Sequence, residues 1–302
     1  MSRKPHLKNG ILQADLCIIG AGSGGLSVAA GAAQMGAAVV LIEKHLMGGD
    51  CLNTGCVPSK ALLAAAHAAQ AQRSGAHLGV APVEPRVDFT QVMAHVHGVI
   101  GAIAPHDSVA RFEGLGCTII QAAACFTGPG EVEAGGQRIA ARRFVIATGS
   151  RAALPPIPGL AATPHLTNET LFGLTELPRH LAVIGGGPIG LEMAQAFRRL
   201  GSAVTVLERA TILPKDEPEA VAVLRAVLLA EGVRIIEGAA ITRVDPGRIT
   251  LADGMLEPSH ILVAAGRQAV VDGLGLDAAG IEASVRRRFG AALSLVKPAV
   301  ND

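Results

Sequence analysis

Residues 16–44 read LCIIGAGSGGLSVAAGAAQMGAAVVLIEK, and residues 181–209 read LAVIGGGPIGLEMAQAFRRLGSAVTVLER. The two stretches align without a gap at an offset of 165: Leu16, Gly20, Gly22, Gly25, Gly36, Val39 and Glu43 reappear as Leu181, Gly185, Gly187, Gly190, Gly201, Val204 and Glu208. A repeat this far apart marks a duplicated domain core, not a solenoid. Each copy opens on a short apolar, β-branched run (Leu16–Ile19 and Leu181–Ile184), which predicts a buried parallel strand. G-x-G-x-x-G then predicts a tight turn into a helix. A second apolar run (Ala38–Ile42 and Ala203–Leu207) predicts the next strand, and it ends on a glutamate.

That grammar has a chemical reading. The first glycine permits the turn, the second lets backbone approach a pyrophosphate, and the third packs helix against strand. Amides at the helix start, together with the helix dipole, hold negative phosphates. Glu43 and Glu208 each lie 18 residues past the last glycine, where a carboxylate accepts hydrogen bonds from a ribose diol. A lone G-x-G-x-x-G is weak. Strand, turn, helix, strand and acid in order, twice, favour two dinucleotide sites over two ligand-free core turns. At the second site an acid repels a 2′-phosphate, so Glu208 favours NAD over NADP, and Arg209 beside it softens that preference.

Between the copies, residues 48–60 read GGDCLNTGCVPSK. Cys51 and Cys56 are five apart, which on an ideal helix is a rise of about 7.5 Å, too far for a disulfide between Cα atoms about 7 Å apart at most. A bridge therefore needs a distorted first turn, which Gly55 makes cheap. Pro58 suits an opening turn, and SKALLAAAHAAQAQ is a strong helix former. The helix dipole there favours a thiolate, so the reading is a reactive, reversible pair; so small a loop adds little as a structural staple. A metal site is the rival reading, but it has no second ligand pair, and His45 and His67 fit no familiar spacing. His67, His95 and His97 are expected on helix surfaces. Cys17, Cys117 and Cys125 are expected in the core.

Composition narrows the class. The chain has 302 residues, half of them hydrophobic, enough for two domains of ordinary size. With seven Phe and neither Trp nor Tyr it lacks aromatic platforms for bases or sugars. A formal net charge of +1 gives no bulk field toward nucleic acid or an anionic membrane. Five cysteines do not make a secreted disulfide framework, so a cytoplasmic protein is expected. Arg3, Lys4 and Lys8 precede an apolar run, and no formal charge falls between Leu16 and Ile42. Asp15 and the run's glycines fit a strand, turn and buried helix better than a signal peptide or a membrane span.

The motif GGDCLNTGCVPSK after one dinucleotide fingerprint and before another resembles the FAD-dependent pyridine nucleotide–disulfide oxidoreductases, which include dihydrolipoamide dehydrogenase, mercuric reductase and glutathione reductase. The resemblance runs from about Leu12 to about Glu282. It implies an α/β fold with two Rossmann-like domains, for FAD and for NAD(P). On it, Gly20, Gly22, Gly25, Glu43, Lys44, Gly49, Ala124, Thr148 and Gly149 match FAD contacts, with Lys60 near the flavin and Glu192 as its ion-pair partner. Gly185, Gly187, Gly190, Glu208, Ile241 and Gly266 match the NAD site. Cys56 corresponds to the thiol beside the flavin and Cys51 to the thiol exchanging with substrate. The implied activity passes electrons between NAD(P)H and the Cys51–Cys56 disulfide through FAD, and on to a small disulfide, a dithiol or a metal ion. PSK, with no second lysine beside Lys60, argues against glutathione reductase.

The family pattern stops early. No A-x-G-D follows Gly266, and the last histidine is His260, so the family's flavin-binding aspartate and the His–Glu pair of its dimer-forming interface domain have no counterpart. The expectation is a C-terminal truncation or frame change, and the alternative function is a dinucleotide-binding fragment with little turnover. The expected division is a flexible lead at 1–11, an FAD domain at 12–150, an NAD(P) domain at 151–275, and a tail at 276–302 carrying a basic run at Arg286, Arg287 and Arg288. An amphipathic stretch near 88–115 broken at Pro105, a crossing at LPPIPGL (154–160) and a helix near 216–231 complete the expected elements.

Overall fold

The computed structural model describes residues 4–289; the ends of the lead and of the tail, residues 1–3 and 290–302, lie outside the described residues. The described chain forms two compact units. One holds residues up to Asn53, Gly101–Arg151 and Gln268 onward; the other holds Thr54–Ile100 and Ala152–Arg267.

In the first unit four parallel strands run in the order Thr118–Ile120, Val39–Ile42, Ile11–Ile19, Gln137–Ile146. An antiparallel meander, Glu131–Ala134 and Ala124–Gly128, extends the sheet beyond the last of them. Val39–Ile42 is buried at every position, as a strand covered on both faces must be. The central strand starts five residues before the apolar run that predicts it. Its first residues pair antiparallel with His6–Lys8 across a turn at Asn9-Gly10. Both turn residues have positive φ, 51° and 76°, which Asn and Gly tolerate best. Residues 6–11, expected as a flexible lead, are thus a hairpin.

The second unit repeats the plan. Its parallel strands run Arg234–Ile236, Ala203–Leu207, His180–Ile184, His260–Val263, and a separate three-stranded antiparallel sheet (Ile241–Asp245, Arg248–Leu251, Gly254–Leu256) packs against them through Val244, Ile249 and Leu256. The internal repeat extends to register: Leu16 pairs with Val39, and Leu181 with Val204. Helix Pro188–Leu200 buries Leu191, Ala194, Phe197 and Leu200 against this sheet and ends on Gly201 at φ 118°, the left-handed conformation that terminates a helix. Helix Pro218–Ala230 falls where expected.

Packing divides the chain differently from the motif order. Helices Cys56–Arg73 and Phe89–Ile103 share a core with helix Pro188–Leu200 in the second unit, where Ala61, Leu62, Phe89, Met93 and Phe197 are buried together. The Phe89 and Phe197 rings are 6.1 Å apart at 47°. Pro105 breaks the long amphipathic stretch into Phe89–Ile103, a short 3-10 turn and Val109–Gly114. Residues after Gln268 return to the first unit, where Val271, Leu274, Leu276 and Ala279 are buried, and Phe126 N–H donates to the Leu274 carbonyl at 2.8 Å. No helix among the described residues is long and apolar enough to cross a membrane.

Two glycine turns and a cysteine-bearing helix: the candidate functional site

The first turn is closed by backbone on backbone. At Gly20 (φ 105°) a Cβ would lie 2.3 Å from the Ala147 carbonyl oxygen, and at Gly25 it would lie 1.9 Å from that of Gly20. The second turn repeats this. A Cβ on Gly185 (φ 117°) would meet the Ala264 oxygen at 2.4 Å, and one on Gly190 the Gly185 oxygen at 2.2 Å. The middle glycines differ. A Cβ on Gly187 would meet nothing within 4 Å, and one on Gly22 only the Gly49 Cα at 3.8 Å. The fold therefore needs the first and third glycines, while the second leaves open space over the helix start, where a pyrophosphate requires it. No side chain caps either helix N-terminus and no acid occupies either first turn, so amides remain for an anion. The residues present fit two dinucleotides.

Each glutamate locks its turn. Glu43, 9% exposed, accepts from Ala21 N–H at 2.6 Å and His45 N–H at 2.8 Å. Glu208 accepts from Gly186 N–H at 2.7 Å and Ala210 N–H at 2.9 Å. A carboxylate has about four acceptor positions, so each retains capacity for a ribose diol. Ala21 and Gly186 are partners that sequence reading missed; their only signal is that each follows the first glycine of its motif.

Within the first unit the loop before the cysteines packs on the first turn. Gly48 N–H donates to the Ala21 carbonyl at 2.9 Å, and a Cβ on Gly49 (φ 57°) would lie 2.6 Å from the Gly22 Cα. The Asn53 side-chain amide donates to the carbonyls of Met47 and Gly49 at 3.1 and 2.8 Å, holding that loop. Lys44 is exposed beside Glu43, and Ala124 is buried at the start of its strand. Thr148 donates its hydroxyl to the Val270 carbonyl, and Gly149 (φ 70°) accepts from Val270 N–H at 3.0 Å. Cys51 is half-buried in the short helix Gly49–Asn53.

The second unit begins at Thr54, between the two cysteines. Cys56 is exposed at the first position of helix Cys56–Arg73, and Pro58 is buried in its opening turn. Gly55 stands at φ −129°, ψ −112°, so the helices are interrupted there, as the spacing predicts. One turn on, Lys60 pairs with Glu192 of helix Pro188–Leu200. Ile241 opens its strand at a register shift, and Gly266, at φ 131°, accepts from Ala153 N–H at 3.0 Å. Among the described residues no group of three or more His, Cys, Asp or Glu side chains is placed to hold a metal ion. His67, His95 and His97 are exposed, as expected. Burial pushes the Cys17 thiol up to about 12 and raises that of Cys117, so both are inert core groups. Cys125 is a correction: it is exposed, because strand alternation buries its neighbours Ala124 and Phe126 and turns it outward.

Residues 14–291 match the family described as pyridine nucleotide-disulphide oxidoreductase. Among curated proteins, the mercuric reductase of Streptomyces lividans is 36% identical over 286 residues, which cover 90% of this chain and 60% of that protein. The mercuric reductase of Shigella flexneri is 35% identical, over 88% of this chain and 50% of its own length. Among solved structures, a Cu(II) complex of the HOCl-induced flavoprotein disulfide reductase RclA from Escherichia coli aligns with a TM-score of 0.76 and 30% identity, covering 88% of this chain and 59% of that one. The chain thus spans 60% or less of these relatives. With its duplicated α/β dinucleotide fold and its C-x4-C helix entrance, the chain belongs to the FAD-dependent pyridine nucleotide–disulfide oxidoreductase family.

Proposed function

We propose that this chain is an FAD-dependent oxidoreductase that passes electrons between NAD(P)H and a Cys51–Cys56 pair, and on to a metal ion or a small disulfide, in the manner of a mercuric reductase. The observation that carries the dinucleotide half is the open space at Gly22 and Gly187 where the flanking glycines are closed off by backbone. In this reading Gly20, Gly22, Gly25, Glu43, Lys44, Gly49, Ala124, Thr148 and Gly149 hold FAD. Gly185, Gly187, Gly190, Glu208, Ile241 and Gly266 hold the nicotinamide nucleotide, with the Glu208 carboxylate favouring NADH over its 2′-phosphorylated form. Bound FAD supplies the coupling between a hydride carrier and thiols, which exchange sulfur bonds.

The chain's own residues do the rest. Cys56 sits exposed at the first position of its helix, where a flavin can reach its thiol. Lys60, held by Glu192, keeps a cation one turn from Cys56, and its exposed ammonium is available to a flavin edge. Cys51 is the thiol that meets substrate. The relatives' names support two substrate classes: mercuric ion for the reductases so named, and disulfide for the bacterial flavoprotein. Family membership supports a homodimer, and the single close cysteine pair supports a cytoplasmic setting.

The test is turnover of NADH with Hg²⁺, lipoamide and glutathione disulfide side by side, after loading with FAD and gel filtration. Retained FAD with NADH consumption that Cys51→Ser abolishes bears the reading out. NADH binding without FAD retention or turnover would instead make the chain a nucleotide-binding fragment.

A further inference from the structure

Thr54 and Gly55 are the residues linking the two cysteine-bearing helices, and one side chain and one main-chain amide of the second unit hold this link. The Asn168 amide donates to the Thr54 carbonyl at 3.4 Å. On the other side of Gly55, Ser59 N–H takes the Gly55 carbonyl at 3.0 Å, and the Ser59 hydroxyl donates to the Cys56 carbonyl at 3.3 Å. The torsions of Gly55, at φ −129° and ψ −112°, lie outside the helical and strand regions. The Thr54 and Gly55 carbonyls belong to the two peptide planes that these torsions orient, so holding both oxygens holds the torsions. Asn168 and Ser59 are each 8% exposed, so water does not readily replace either grip.

Asn168 is itself buried in ordered structure. It is the first residue of the short helix Asn168–Leu171, entered through a reciprocal capping box between Thr167 and Thr170. Leu171 and Phe172, just beyond, are sunk in the second unit's core. Its amide therefore reaches the link from a fixed point 114 residues away in sequence.

We propose that Asn168 is a positioning residue for the redox pair: by fixing the Thr54–Gly55 peptide in a conformation in which Cys51 and Cys56 both stand as thiols, it sets the balance between dithiol and disulfide. The proposal rests on reading Cys51 and Cys56 as that pair. The equilibrium concerned consumes one protein disulfide and two glutathione thiols and yields two protein thiols and one glutathione disulfide, with two electrons and two protons passing to the protein.

The experiment equilibrates the full chain in glutathione buffers of graded ratio, traps thiols at acid pH and locates them by peptide mass. Asn168→Ala and the isosteric Asn168→Asp, which loses the donor, are expected to shift the equilibrium by about three- to tenfold, tenfold being about 30 mV for this couple. Asn168→Ser, a shorter donor, is expected to recover part of the shift. Thr170→Ala, which loosens the capping box that seats Asn168, is expected to lower thermal stability and to move the couple in the same direction by less than Asn168→Asp does. Asn168→Asp is read where Asn168→Ala fails to melt cooperatively. A wild-type pair that closes, with Asn168→Asp unchanged within twofold, overturns the role of Asn168 and leaves the redox reading standing. A wild-type chain that forms no Cys51–Cys56 disulfide in any buffer overturns both.

Discussion

The Gly20 carbonyl oxygen lies 1.9 Å from where a Cβ on Gly25 would stand, and 165 residues later Gly185 and Gly190 repeat the contact at 2.2 Å. A carbonyl that close admits no side chain at all, because the obstructing atom is main chain at the centre of a βα turn. Gly25→Ala and Gly190→Ala are accordingly expected to cost about 1–3 kcal/mol or more of stability, read from denaturant midpoints. Gly187→Ala should fold within about 0.5 kcal/mol of wild type and yet, on the proposed reading, weaken NADH binding at least about tenfold, since a methyl there meets no protein atom within 4 Å and would meet the nucleotide. Equal losses of stability at Gly187 and Gly190 would contradict this division of labour.

Glu208 fixes its turn through Gly186 and Ala210, and on the proposed reading it also excludes a 2′-phosphate. Glu208→Gln keeps one acceptor oxygen and removes the charge. It is expected to cost about 1 kcal/mol in stability and to raise the NADPH-to-NADH affinity ratio by about tenfold or more. Isothermal titration with both nucleotides measures this; an unchanged ratio would remove Glu208 from nucleotide selection.

Native thiol labelling should separate four of the five cysteines by burial. Cys17 is fully buried with its thiol pushed up to about 12, and Cys117 is buried and raised in the same direction. Iodoacetamide at pH 8 is expected to modify Cys56 and Cys125 in the folded, reduced chain and to reach Cys17 and Cys117 only on unfolding. Peptide mass mapping against time gives the order.

Burial first, and the nearby Arg234 charge second, hold the His180 imidazole below its ordinary 6.5. Its Nε2 lies 3.0 Å from the Thr205 hydroxyl. A depressed native value means that the unfolded chain takes up the proton first. The stability tied to neutral His180 is complete above about pH 6.5 and is lost as pH falls through the native value. His180→Asn should flatten the difference between urea midpoints at pH 7 and pH 5; a variant with the same slope as wild type would show that His180 does not set it.

Lys60 and Glu192 are 65% and 37% exposed, so their pairing adds little to the fold, within about 1 kcal/mol. Glu192→Gln is expected to leave the melting temperature nearly unchanged while lowering the NADH-driven reduction of the cysteine pair in FAD-loaded protein. A matching fall in stability would make the pair a structural one.

Much of this protein is written locally. The glycine motifs, the apolar runs on either side and the glutamates recur in order, so both βαβ cores and their register follow from chemistry acting over some thirty residues. The interruption at Gly55 falls where a bridge between Cys51 and Cys56 would need one. The Asn9-Gly10 hairpin was also legible, since that dipeptide favours positive φ at both positions, but the charged lead around it obscured the signal. Cys125 was misjudged for want of a strand phase: whether an isolated cysteine faces in or out depends on register, which its neighbours set.

The amino-acid sequence by itself determined the duplicated dinucleotide fold, the identity of the two acids that close its turns, and the helix entrance at Cys56, because each depends on residues close along the chain. Only the tertiary structure decided that helices Cys56–Arg73 and Phe89–Ile103 join the second unit's core, that the segment after Gln268 returns to the first, and that Asn168 reaches the link between the cysteines. Those outcomes depend on which apolar faces meet and which buried carbonyls need donors, and such pairings link residues about a hundred positions apart that carry no local mark of one another.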